Sequence, residues 1–82
     1  MVRVIFKDNF KKKIEKIKDS SLKDKIKKQI NKIIENPQIG KPMRYDRKDT
    51  RELYVKPFRI SYCYNKNELI ILFLELYHKD KQ

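Results

Sequence analysis

The stretch from Phe58 to Tyr77 (FRISYCYNKNELIILFLELY) restricts what this chain can fold into more than any other. In its first half Phe58, Ile60, Tyr62 and Tyr64 alternate with Arg59, Ser61 and Cys63, the period-two pattern of a strand with two unlike faces. Asn65-Lys66-Asn67 then interrupts with residues that tolerate turns. Leu69 to Leu74 is an unbroken apolar run, short for a buried helix and suited to a central strand. Together they predict a β-hairpin whose second strand is the core of the molecule. Arg59 lies on its first strand and Tyr77-His78-Lys79 ends its second, so the hairpin carries them onto one sheet.

The rest of the chain supplies what such a hairpin needs. Val2 to Phe6 reads as a short strand, and Asp8 or Asn9 as the cap of the helix after it. Phe10, Ile14 and Ile17 form one apolar stripe of that helix, ringed by Lys11, Lys12, Lys13 and Lys16. After Asp19-Ser20, the spacing of Ser21 and Asp24 marks a second helix start. Its stripe of Leu22, Ile26, Ile30 and Ile33 ends at Asn36-Pro37, because the residue before proline resists the helical region. Asn36 to Thr50 is irregular, and Arg51 to Val55 is a strand with Leu53 and Val55 on one face, Glu52 and Tyr54 on the other. The order is β-α-α-β-β-β. It predicts one α+β domain over residues 1–82: a two-helix hairpin on one face of a small, mainly antiparallel four-stranded sheet, the first strand beside the Leu69–Leu74 strand.

Charge narrows the partners. The net charge is +11 in 82 residues. Residues 1–36 hold 12 Lys/Arg against 5 Asp/Glu, and Arg3 is their only arginine. Beyond Pro37 the arginines accumulate at positions 44, 47, 51 and 59. Lysines on helices usually form a solvated face, whereas arginines on strands and loops present planar forks for phosphate or carboxylate. A polyanionic partner follows, with its specific contacts in the second half. A single cysteine, Cys63, can form neither an internal disulfide nor a zinc cluster, which points to a reducing cytoplasm. No apolar run is long enough to span a membrane.

Several residues now form a recognisable set: Gly40-Lys41-Pro42-Met43-Arg44, then Arg51-Glu52-Leu53-Tyr54-Val55, then Phe58-Arg59-Ile60-Ser61-Tyr62, and an apolar strand ending in Tyr77-His78-Lys79. The chain resembles the RelE/ParE toxin superfamily along nearly its whole length, most specifically in the pair of strands around Leu53 and Arg59. The resemblance implies the RelE-like fold and a toxin of a type II toxin–antitoxin pair. RelE-like members cleave mRNA in the ribosomal A site and are silenced by a cognate RelB-like antitoxin; the ParE branch poisons DNA gyrase without nuclease chemistry. By the same resemblance Arg59 holds the scissile phosphate and Arg44 is a basic residue of the loop before the meander. Lys79 stands where many relatives carry a catalytic arginine, and Tyr77-His78 is similar to the end of YoeB toxins, whose histidine is a general acid. Where some RelE toxins carry two lysines on the second strand, this chain has Glu52 and Tyr54.

Cleaving RNA through its own 2′-hydroxyl requires a base for that hydroxyl, positive charge for the phosphorane oxygens and an acid for the leaving 5′-oxygen. Arg59 supplies charge at any pH. His78, the sole histidine, has the side chain suited to an acid near neutrality. Lys79 or Arg51 can share the phosphate, Arg44, Tyr54 and Lys56 are further RNA contacts, and Glu52 or Tyr54 is the candidate base. No Cys/His cluster, Mg²⁺-binding carboxylate set or glycine-rich phosphate loop is present, so a metal-independent endoribonuclease without cofactor is expected. Plainer roles compete: Arg59 can pair with Glu52 or Glu75, and the tyrosines can be packing residues.

A further consequence concerns the sheet. Two short helices cover one face of it, while the Leu69–Leu74 strand offers apolar side chains to both. The uncovered face is then a docking surface, and an acidic antitoxin satisfies both the patch and the charge. Ribosome and mRNA are the other expected partners. A ParE-like gyrase inhibitor and a non-catalytic RNA-binding module are the alternatives.

Overall fold

A computed structural model describes residues 2–42 and 49–79. Its elements are β1 (Arg3–Phe6), α1 (Asp8–Lys16), α2 (Ser20–Glu35), β2 (Lys41–Pro42), β3 (Thr50–Val55), β4 (Phe58–Asn65) and β5 (Ile70–His78). The strands form one sheet in the order β1-β5-β4-β3-β2, with β1 parallel to β5 and every other pair antiparallel. This is the α+β arrangement expected, with β1 beside the apolar strand as its pattern implied. The sheet has five strands rather than four because Lys41 and Pro42 pair with Glu52 and Arg51. Two residues, one of them proline, carry no periodicity that a sequence pattern can reveal.

Helix starts differ slightly from expectation. α1 begins at Asp8, after Lys7, which makes no side-chain cap; Asp8 instead lies in the first turn, where its charge suits the helix dipole. α2 is capped by Asp19, whose carboxylate accepts from the Ser21 and Leu22 N–H groups at 2.9 and 3.2 Å. A carboxylate that satisfies two amide donors makes a stronger start than the expected Ser21. The end at Asn36-Pro37 is as the proline dictates.

The core lies between the helices and one sheet face. Phe10 of α1 and Ile26 and Ile33 of α2 are fully buried against Ile60, Tyr62, Ile71 and Phe73. Phe6 stacks on Phe73 at 4.9 Å between ring centroids, and Phe10 meets Phe73 at 5.4 Å. One irregularity sets which residues face this core. Ser61 pairs with Glu75 but Tyr62 with Phe73, so β5 bulges by one residue at Leu74. Before the bulge Ile71 and Phe73 point to the helices; after it Leu76 does. The alternation therefore changes parity in the middle of the strand.

Tyr62 also ties down the segment after α2. Its hydroxyl donates to the Pro37 carbonyl and accepts from the Gly40 N–H, both at 2.8 Å. Arg51 clamps the same segment from β3, with Nη1 donating to the Gln38 and Gly40 carbonyls at 3.1 and 2.8 Å. Gly40 is buried so closely that a Cβ there would lie 2.5 Å from the Tyr62 hydroxyl oxygen. Burial pushes the Tyr62 phenol upward in pKa, partly offset by the Gly40 hydrogen bond and the nearby Arg51 charge.

Candidate functional site

The sheet face away from the helices carries Glu52, Arg59 and Glu75. Cross-strand pairing sets Tyr54 of β3 opposite Arg59 of β4, and Arg59 opposite Tyr77 of β5. Directly opposed residues share a face, so these three form one row across the sheet. The adjacent row is Glu52, Ser61 and Glu75. Arg59 reaches between the rows: its Nη1 donates to Glu52 Oε1 at 2.9 Å. The Glu52 side chain is only 12% exposed, against 36% for Arg59. Its second oxygen is buried and accepts no hydrogen bond from the described residues.

Tyr54 stands at the centre. Nearly half exposed, its ring has the Arg59 guanidinium carbon 6.0 Å from its centroid and the Lys79 ammonium at 5.9 Å. Lys79 is held there by its backbone N–H, which donates to the Pro57 carbonyl in the β3–β4 turn at 3.1 Å. That turn is Lys56-Pro57, joined by a cis peptide bond, and Lys56 is exposed on it. The result is an open aromatic platform flanked by two cations, with a carboxylate against one of them.

Not every candidate converges. His78 pairs with Phe58, whose ring it meets edge-on at 5.7 Å. Phe58 packs against the helix-side core, so His78 and Arg59 stand on opposite faces of the sheet. The Leu74 bulge is the cause: it turns Tyr77 toward Arg59 and His78 toward the helices. Arg51 also faces the helix side, opposite Tyr62, and its guanidinium is engaged by backbone carbonyls. Arg44 lies outside the described residues. Tyr77 was singled out in the sequence only together with His78 and Lys79; that it, and not His78, stands opposite Arg59 follows from the β5 register. Of the two partners that the plainer structural role offered Arg59, Glu52 or Glu75, the ion pair with Glu52 is present.

Burial, reinforced by the Asp49 charge, pushes the Cys63 thiol upward, away from thiolate reactivity. Among the described residues no group of three His, Cys, Asp or Glu side chains is arranged to hold a metal ion, and no helix is long and apolar enough to cross a membrane.

Comparison with curated proteins gives no match. Solved structures are similar across nearly the whole chain. The isolated E. coli RelE toxin superposes with a TM-score of 0.82 at 13% identity, covering 100% of this chain and 88% of that one. The toxin–antitoxin complex RelBE of E. coli gives 0.80 at 14% identity, covering 95% and 96%. A YoeB/ParE toxin from Agrobacterium tumefaciens gives 0.80 at 13% identity, covering 94% and 98%. At such identities the likeness is one of fold. The sequence itself is decisive: the model of the ParE toxin of type II toxin–antitoxin systems matches residues 4–82. This chain therefore belongs to the ParE toxin family, within the RelE/ParE superfamily whose fold it shares.

Proposed function

We propose that this toxin acts on RNA, as a ribosome-dependent endoribonuclease that cleaves mRNA in the A site and arrests translation. The observation that carries this reading is the exposed Tyr54 ring between Arg59 and Lys79, with Glu52 in contact with Arg59. An aromatic face beside fixed cations is how proteins hold a base and its phosphate together. Tyr54 stacks on the base, Arg59 takes the non-bridging phosphate oxygens, and Lys56 at the turn follows the backbone. Glu52 accepts the proton of the 2′-hydroxyl, whose oxygen then attacks phosphorus. Charge on the phosphorane is met by Arg59. The bond to the 5′-oxygen breaks, Lys79 gives that oxygen a proton, and a 2′,3′-cyclic phosphate and a 5′-hydroxyl remain. His78, on the far face, has no part in this sequence.

A cognate RelB-like antitoxin is the partner this reading adds, as RelE has RelB in the E. coli complex. The open face offers it an apolar strip, in which Ile5 of β1 lies beside Leu72 of β5, and the net charge of +11 favours an acidic chain. The gyrase-poisoning reading also has specific support, since the matching family is the ParE one and the imidazole stands away from Arg59. Primer extension on translated mRNA after induction separates the two. Cuts within codons support the nuclease; intact message with damaged DNA supports the gyrase poison.

A further inference from the structure

α1 carries two stripes at the same helical spacing. Phe10 and Ile14 belong to the one packed on the core, while Asn9, Lys12, Lys13 and Lys16 form a second on another side of the helix. That second stripe overlies a stretch of β5 that β1 leaves unpaired. β1 ends with Phe6 opposite Phe73, whereas β5 continues to His78. Between helix and strand lies a cavity of about 320 Å³, walled by the four stripe residues on one side and by Glu75, Leu76 and Tyr77 on the other.

Two features make this more than a solvated helix face. Tyr77 is both a wall of the cavity and the cross-strand partner of Arg59, so the cavity adjoins the open-face site through one residue. Three lysines meet a single carboxylate, Glu75, and none of these side chains forms an ion pair with a described residue. Their charge gives the cavity a positive potential that its walls focus.

We propose that this cavity is a second phosphate subsite for single-stranded RNA, and that Tyr77 bridges it to the phosphate held by Arg59. The subsite rests on the RNA reading above and adds a direction to it: the strand leaves Arg59 across β5 toward α1, not along the β3 edge. Lys12, Lys13 and Lys16 carry its charge, and Asn9 supplies a neutral hydrogen-bonding group.

Salt titration of binding to a single-stranded RNA oligonucleotide, read by fluorescence anisotropy, tests this. Each phosphate neutralised on a single strand contributes about 0.7 to the slope of log affinity against log salt. Replacing Lys12, Lys13 and Lys16 together by alanine lowers the magnitude of that slope by about 2, at three contacts of that size. Alanine is the best helix former, so α1 keeps its structure, which circular dichroism checks. A control replaces Lys25, Lys28 and Lys32, exposed on α2, and leaves the slope near that of the wild type. An unchanged slope in the α1 variant, or equal losses in both variants, overturns the subsite while leaving the RNA reading intact. Wild-type protein that binds no RNA overturns both.

Discussion

Arg59 and Glu52 differ in what each loses when the other is removed. Arg59→Ala leaves a carboxylate that is only 12% exposed without its partner, which costs about 1–3 kcal/mol. Growth arrest is nevertheless lost at temperatures where the variant is folded, as a melting curve beside the toxicity assay shows. Glu52→Gln keeps the shape and a hydrogen-bond acceptor for Arg59. It abolishes cleavage yet leaves RNA affinity equal to the wild type's or higher, because a charge that competes for Arg59 is gone; anisotropy and primer extension on the same protein read both. His78→Gln, on the far face, leaves arrest within about threefold of wild type in a growth assay. A complete loss there would restore the imidazole to the chemistry. The place of Arg59 on the first strand of the hairpin was legible from the alternation around it, and its pairing with Glu52 was among the readings the sequence allowed. The face of His78 was not, because it depends on the one-residue bulge at Leu74 of β5, opposite Ser61 and Tyr62, that no local pattern announces.

At the level of elements, the hairpin of β4 and β5 and the stripe of α2 were readable because β4 alternates with period two, β5 opens on an unbroken apolar run and α2 keeps one helical stripe. β2 was unreadable, and so was its role: it follows the segment that Tyr62 and Arg51 fasten to the sheet. That fastening has a measurable energy. Gly40→Ala forces a methyl group against a buried hydroxyl, so a loss of about 1–3 kcal/mol is expected in chemical denaturation. Tyr62→Phe leaves the buried Gly40 N–H without its acceptor and costs about the same. The raised pKa of Tyr62 also has a direction in pH. Stability from the neutral phenol is complete below the ordinary tyrosine value of about 10, and is lost as pH rises from there through the folded value. Thermal melts across this alkaline range should fall more steeply for wild type than for Tyr62→Phe; parallel curves contradict the assignment. In the β4–β5 turn, Leu69 adopts a left-handed φ of 56° with its side chain exposed. Leu69→Gly relieves that strain and raises stability by about 1 kcal/mol.

For the whole molecule, the basic residues behind the charge of +11 lie both on the helices and on the sheet. The helix lysines lie on α1 and α2, which cover one face of the sheet, whereas Arg59, Lys79 and the exposed Tyr54 meet on the other. Composition gave the sign of the charge, and the sheet order decided which cations stand together. Arg51 shows the limit of counting, since a guanidinium that belongs to the basic total is engaged with the Gln38 and Gly40 carbonyls. The measurement that bears most directly on the open-face site is primer extension on translated mRNA in cells expressing wild type, Arg59→Ala or Lys79→Ala. Lys79 is exposed, so its replacement is expected to leave the fold intact. Wild type is expected to produce cuts within codons, and each variant, confirmed folded by its melt, to produce none. Intact message in wild-type cells, or unchanged cutting by either variant, would contradict an RNA-cleaving site built on these residues.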